Sequence, residues 1–192
     1  MTATQAWALA AFYSLGAIRA RAWMLAVVLA LAAGWTDWRS RRIPNWLTVS
    51  GLIAGLAVRS LAGGWSGAKD SLLGAGLGLA VLLPFVLIRS LGAGDWKLVG
   101  ALGAFLGPQR LIAVLVTAIL VAGAMALALI IWKRRVKETL RNIGRIVMSL
   151  ARLRMPAPEV SLENPQALKV PFGVAVAIAV IVYSTAEVWG GA

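Results

Sequence analysis

The sequence predicts an all-α integral membrane protein, a bundle of about six transmembrane helices with a basic amphipathic cytoplasmic segment. Three observations predict it. Of the 192 residues 60% are apolar and the mean hydropathy is +0.84, whereas soluble domains stay near half apolar. The apolar runs of Leu, Ala, Val and Ile lack the strict alternation of barrel strands, and a chain in lipid must close its backbone hydrogen bonds within helices or a barrel. Basic residues gather in the short polar breaks between those runs, where they set topology.

Six apolar segments follow in order. The first runs from about Ala20 to Thr36, the second from about Trp46 to Ala62, and the third from about Ser71 to Ile88. The fourth, Leu98 to Leu106, is short of the about 20 residues a crossing needs. It reaches that length only by tilting or by taking in the Gly-rich loop before it. Leu111 to Trp132 forms the fifth, without a charge, and Val170 to Trp189 the last. Residues 1–18 carry Trp7, Phe12 and Tyr13 but no charge, which suits an interfacial segment or an extension of the first helix. Arg19 and Arg21 follow this stretch instead of preceding it, so it does not read as a cleavable signal. No internal repeat is visible, and residues 1–192 read as one membrane domain.

Charge orients the bundle. With the N-terminus outside and six crossings, Arg39, Arg41, Arg42, Arg89, Lys97 and the nine basic residues from Lys133 to Lys169 face the cytoplasm, fourteen in all. Five remain outside: Arg19, Arg21, Arg59, Lys69 and Arg110. This asymmetry follows the positive-inside rule. The basic cytoplasmic loop, 133–169, begins with "KRRVKETLRNIGRIVMSLARLR". Val136, Leu140, Ile143, Val147 and Leu150 recur there at helical spacing, so an amphipathic helix lying on the anionic leaflet and a solvated connector are both open. Met155 to Pro165, with three prolines, reads as a loop.

The absences bound the chemistry. A net charge of +12 would point to nucleic acid in a soluble protein, but no aromatic-plus-basic RNA motif is present and no nucleic-acid partner is expected. Without cysteine there is no thiol nucleophile, disulfide or thiolate metal site. Without histidine there is no Ser–His protease and no imidazole ligand. No metal and no cofactor are expected. Acid–base chemistry falls to seven carboxylates, the lysines, two tyrosines or water.

Two of the carboxylates stand at the seams of apolar runs, where ionised groups are costly. Asp37 ends the first run in "GWTDWRSRRIPN", and Asp95 opens the fourth in "GAGDWKLVG". Each has an ordinary reading: Asp37 as a solvated helix end among arginines, Asp95 as a helix cap. Asp70 suits a helix N-terminus. On the orientation above, Asp37 and Asp95 share the cytoplasmic face. Gly92 and Gly94 give backbone freedom and room for close approach beside Asp95, Pro44 and Asn45 mark a sharp turn into the second helix, and Pro171 and Gly173 interrupt the start of the last. Paired carboxylates share a proton, so that one activates water while the other polarises a carbonyl.

In these stretches the sequence resembles the type IV prepilin peptidase family, membrane aspartic proteases of the GxGD type. "DWRSRRIPN" (Asp37 to Asn45), "GAGDWK" (Gly92 to Lys97) and "VPFG" (Val170, Pro171, Phe172, Gly173) carry the likeness, in that order. The resemblance implies that Asp37 and Asp95 are the catalytic pair. It further implies that the substrate is a prepilin, cut at the cytoplasmic face of the inner membrane just before the pilin's hydrophobic helix. Lys97 matches a family position and is expected to pair electrostatically with a carboxylate. Larger members carry a four-cysteine zinc motif and an N-methyltransferase activity. With no cysteine and no room for that domain between its first two helices, the chain looks like the short forms of Tad/Flp-type pili, and methylation is not expected. Three other readings stand beside this one. They are a small proton- or ion-coupled transporter using Asp37, Asp95 and Lys97, a non-catalytic pilus-assembly scaffold, and a Ser–Lys protease built on Ser90 and Lys97.

Overall fold

The computed structural model describes residues 3–88, 90–134, 136–151 and 170–190. Five helices make up this chain: α1 (Ala3–Ser40), α2 (Asn45–Leu87), α3 (Ala93–Trp132), α4 (Val136–Ala151) and α5 (Phe172–Gly190). Among the described residues every regular element is helical. Both α2 and α3 are long and apolar enough to cross a membrane.

Each of those two helices is interrupted once, at a residue only glycine occupies without strain. Gly64 sits at φ 56° and ψ −137°, and Gly107, just before Pro108, at φ 75° and ψ 173°. The chain folds back at both. On either side of Gly64, a Cβ at Gly55 would meet Ala104, and the hydroxyl of Ser71 donates to the Ala104 carbonyl at 2.9 Å. Around Gly107, Val99 and Leu111 both lie against Gly78. The two long helices are therefore two pairs of antiparallel segments, and with α1 and α5 they give six apolar rods. The fourth, Ala93–Leu106, does take in the end of the Gly-rich loop, and α1 runs without interruption from Ala3.

Small residues set how tightly the rods pack. A Cβ at Gly74 would run into the Gly103 carbonyl oxygen, and one at Gly103 into that of Gly74, so the backbones of α2 and α3 touch there. Gly51 accommodates Leu29 of α1, and Gly34 faces Ala177 of α5. With lipid as apolar as the side chains, close backbone approach of this kind is what holds membrane helices together. Inside lie Ala26, Ala30 and Ala33 of α1, Leu98, Leu102 and Leu111 of α3, and Val176 and Val180 of α5. Outside, large apolar side chains such as Met24, Ile53, Leu73 and Leu120 are exposed, an outward face that water would penalise and lipid would not. Exposed tryptophans mark the ends of the rods: Trp35, Trp38, Trp46 and Trp132 at one end, Trp65 at the other.

Helix α4 occupies most of the stretch expected to be amphipathic, with Leu140 and Ile143 exposed. The remainder of the basic loop, including Arg152, Arg154, Lys169 and the Met155–Pro165 stretch, lies outside the described residues, as does Arg89. Asp70 does not open a helix. The second half of α2 begins after Gly64, which places Asp70 within it, paired with Arg59 at 3.2 Å.

Candidate active site

Four helix ends meet at one end of the bundle: the C-terminus of α1 and the N-termini of α2, α3 and α5. Local sequence fixes each of them. The backbone N–H of Arg41 donates to the Asp37 carbonyl at 2.9 Å, and Arg41 itself takes φ 53°, which closes α1 in a left-handed residue. Pro44, at φ −65° and ψ 141°, precedes α2, and its carbonyl accepts from the N–H groups of Leu47 and Thr48. Gly92 precedes α3 at φ −69° and ψ 141°. Pro171 precedes α5, and its carbonyl accepts from Ala175.

Asp37 is buried, only 7% exposed. Its Oδ2 accepts a hydrogen bond from the Gly173 N–H at 2.9 Å. The fit leaves no slack: a Cβ on Gly173 would lie 3.0 Å from the Asp37 Cβ and 3.1 Å from Oδ2. The carboxylate thus rests on the N-terminal turn of α5, whose free N–H groups and dipole favour negative charge. Asp37 is therefore not a solvated helix end.

Asp95 lies in the first turn of α3. The cap position belongs to Gly92, without a side-chain capping bond, so Asp95 is not the cap its sequence position allowed. Its Oδ1 is inaccessible and has no hydrogen-bond partner among the described residues. Asp37 stands close enough for the two charges to act on each other. The turn carrying Asp95 is pinned by Trp96, whose indole N–H donates to the Leu79 carbonyl at 2.7 Å.

The other sequence candidates gather around this pair. Phe172 packs on the core. Gly94 lies against Ile43, where a Cβ would stand 3.3 Å from the Ile43 carbonyl oxygen, and Gly92 faces Asp95, where a Cβ would stand 3.0 Å from Oδ2. Gly92 has dihedrals open to any residue, so what it contributes here is space. Lys97 does not take the expected carboxylate partner: its Nζ donates to Oδ1 of Asn45 at 3.0 Å, which ties the starts of α2 and α3 together. The hydroxyl of Ser90 donates to the Phe85 carbonyl at 3.0 Å, so Ser90 and Lys97 do not form a nucleophile–base pair. Among the described residues no group of three or more acidic, His or Cys side chains is placed to hold a metal.

Two features went unread in the sequence. Trp96 was taken as part of a motif with no contact assigned. Arg59 was counted only as a topological charge, yet its Nη1 donates to the carbonyls of Phe105 and Leu106 at 3.1 and 3.4 Å. Those are carbonyls at the end of the helical stretch before Gly107, and the Gly107–Pro108 pair between two apolar runs was the available signal.

The fold and the site define a class: an all-helical, membrane-compatible bundle that sets two carboxylates side by side where helix ends converge. A family model described as the type IV leader peptidase family matches residues 24–127, a span that includes both aspartates. The chain belongs to that family. It is 36% identical over 142 residues to the prepilin leader peptidase/N-methyltransferase of Burkholderia pseudomallei strain 1026b, and equally to that of strain K96243. The matched region covers 70% of this chain and 45% of each relative, so the chain spans about half their length. No solved structure matches it.

Proposed function

We propose that the chain is a membrane aspartic endopeptidase that removes the leader peptide of a prepilin at the cytoplasmic face of the membrane. The observation that carries this is the meeting of Asp37 and Asp95, distant in sequence, at the end where α5 begins. Family membership supports a peptidase, and the relatives' names supply the substrate class. Asp37, backed by the Gly173 N–H, is the ionised base that takes a proton from water. Asp95, with no donor to Oδ1, holds the shared proton and gives it to the scissile carbonyl oxygen. The tetrahedral intermediate then collapses as the leaving amine takes a proton from the pair.

The same reading gives the six rods six crossings, with α4 on the cytoplasmic side. Arg39, Arg41 and Arg42 gather at the aspartate end and fit a cytoplasmic site. Co-expression with a prepilin, followed by mass spectrometry of the pilin N-terminus, tests the assignment. The wild-type chain removes the leader, and Asp37→Asn and Asp95→Asn each leave the precursor intact while still accumulating in the membrane. Chelators leave cleavage unchanged. Full processing by either variant would overturn the dyad.

A further inference from the structure

A cavity of about 590 Å³ opens at the end of the bundle away from the aspartates. That is within the about 300–1,000 Å³ of ordinary ligand sites. Its lining includes Arg59, Asp70, Gln109, Arg110, Trp23 and Tyr183, together with the Gly107 break. We propose that this cavity binds the phosphate-bearing head group of an anionic phospholipid, such as phosphatidylglycerol, drawn from the leaflet opposite the aspartates.

Charge is the first ground. Two guanidinium groups face one carboxylate, which leaves an excess of one positive charge in the lining. Arg59 is held in place by its bonds to the Phe105 and Leu106 carbonyls and to Asp70, and its side chain is only 19% exposed. Its Nε is inaccessible and has no hydrogen-bond partner among the described residues. Arg110 lies 5.7 Å from the centre of the Trp23 ring, which in turn stacks on Tyr183 at 5.7 Å. Planar, rigidly held guanidiniums match phosphate oxygens.

Depth is the second ground. The rod Ala93–Leu106 rises roughly 21 Å at about 1.5 Å per residue, against a hydrocarbon core of about 30 Å. With Asp95 at the cytoplasmic boundary, Arg59 and Arg110 stand below the ordinary head-group plane of the far leaflet. Cations at that depth draw water and head groups inward and thin the bilayer locally. Trp23, Trp65 and Tyr183 near the same end are residues that favour the interface. The surrounding rods expose Leu61, Ile112 and Val116, an apolar collar for the acyl chains.

This rests on the six-crossing membrane reading and not on the peptidase chemistry. The full chain is reconstituted in phosphatidylethanolamine vesicles with and without phosphatidylglycerol, extracted in mild detergent, and examined by native mass spectrometry for retained lipid. Wild-type protein retains phosphatidylglycerol in preference to phosphatidylethanolamine. Arg110→Gln weakens that retention roughly tenfold, the loss expected for one charge-assisted contact, while Arg110→Lys restores part of it. Arg59→Gln also removes the bonds to the helix break and is judged only if its unfolding temperature is preserved.

Equal retention of the two lipids would overturn the proposal, and so would an effect of Arg141→Gln, on α4, as large as that of Arg110→Gln. If glycerol 3-phosphate displaces the lipid at matched concentration, the occupant is a soluble phosphate and the lipid assignment fails. Prepilin cleavage, followed in the same preparations, separates this outcome from that of the active-site reading: lipid selectivity without cleavage upholds the cavity alone.

Discussion

Substituting Gly173 by alanine tests the site with the smallest change. The added Cβ would stand 3.0 Å from the Asp37 Cβ, 3.1 Å from Oδ2 and 3.3 Å from Cγ. Comfortable carbon contacts lie at about 3.5–4.0 Å, so α1 and α5 must separate, or Asp37 turn away, by about 0.5 Å or more. Asp37 Cβ is one bond from the α1 backbone and cannot swing clear, so part of the strain passes into the helix spacing. Overpacking costs about 1–3 kcal/mol, and alanine returns up to about 1 kcal/mol over glycine in a helix. The protein therefore stays folded. Turnover does not escape, because a misplacement of about 1 Å at reacting groups costs about a hundredfold. Gly173→Ala should lower kcat by roughly ten- to a hundredfold, with KM nearly constant, in a detergent assay with purified prepilin. Thermal unfolding of the same sample supplies the control. Unchanged kcat with a normal unfolding temperature would refute the claim that the Gly173 contact holds a catalytic carboxylate.

Further outcomes follow from the same contacts. Gly92→Ala places a Cβ 3.0 Å from Oδ2 of Asp95, an atom that rotates at little cost, so stability should hold within about 1 kcal/mol while cleavage drops several-fold. Lys97→Met removes the bond to Asn45. That pair is exposed and contributes at most about 1 kcal/mol, so the unfolding temperature should barely move, and Asn45→Ala should reproduce whatever loss of cleavage Lys97→Met causes. Gly74→Ala drives a Cβ into the Gly103 carbonyl and should destabilise by about 1–3 kcal/mol in thermal unfolding. Gly76→Ala, with nothing within 4 Å, should instead stabilise by up to about 1 kcal/mol.

Apolar length and basic breaks made the helical class and the rod boundaries legible, because both depend on segment composition alone. The aspartates could be picked out for a similar reason, since a carboxylate at the edge of an apolar run needs an explanation wherever the run packs. Their surroundings were harder to read. Nothing local to Lys97 says that its nearest acceptor is the amide of Asn45, because that contact depends on how α2 and α3 start beside each other. Asp70 looked like a helix start on composition, but the chain folds back earlier, at Gly64, where the reversal needs only a positive φ. Glycine abundance hid the two reversals: Gly64 and Gly107 look like their neighbours until the backbone angles are known.

The placement of those reversals accounts for the site. Because α2 and α3 each turn back at the far end, both begin at the near end, where α5 also begins and α1 stops. Three helix N-termini, each with free N–H groups and positive dipole ends, therefore converge on two carboxylates, against a single opposing C-terminus. Two acids side by side repel each other and would be expensive at the edge of lipid. Here the electrostatic compensation comes from the backbone, most directly through Gly173 at 2.9 Å from Asp37. That is how a chain with neither histidine nor cysteine can hold a paired-carboxylate centre at a membrane boundary.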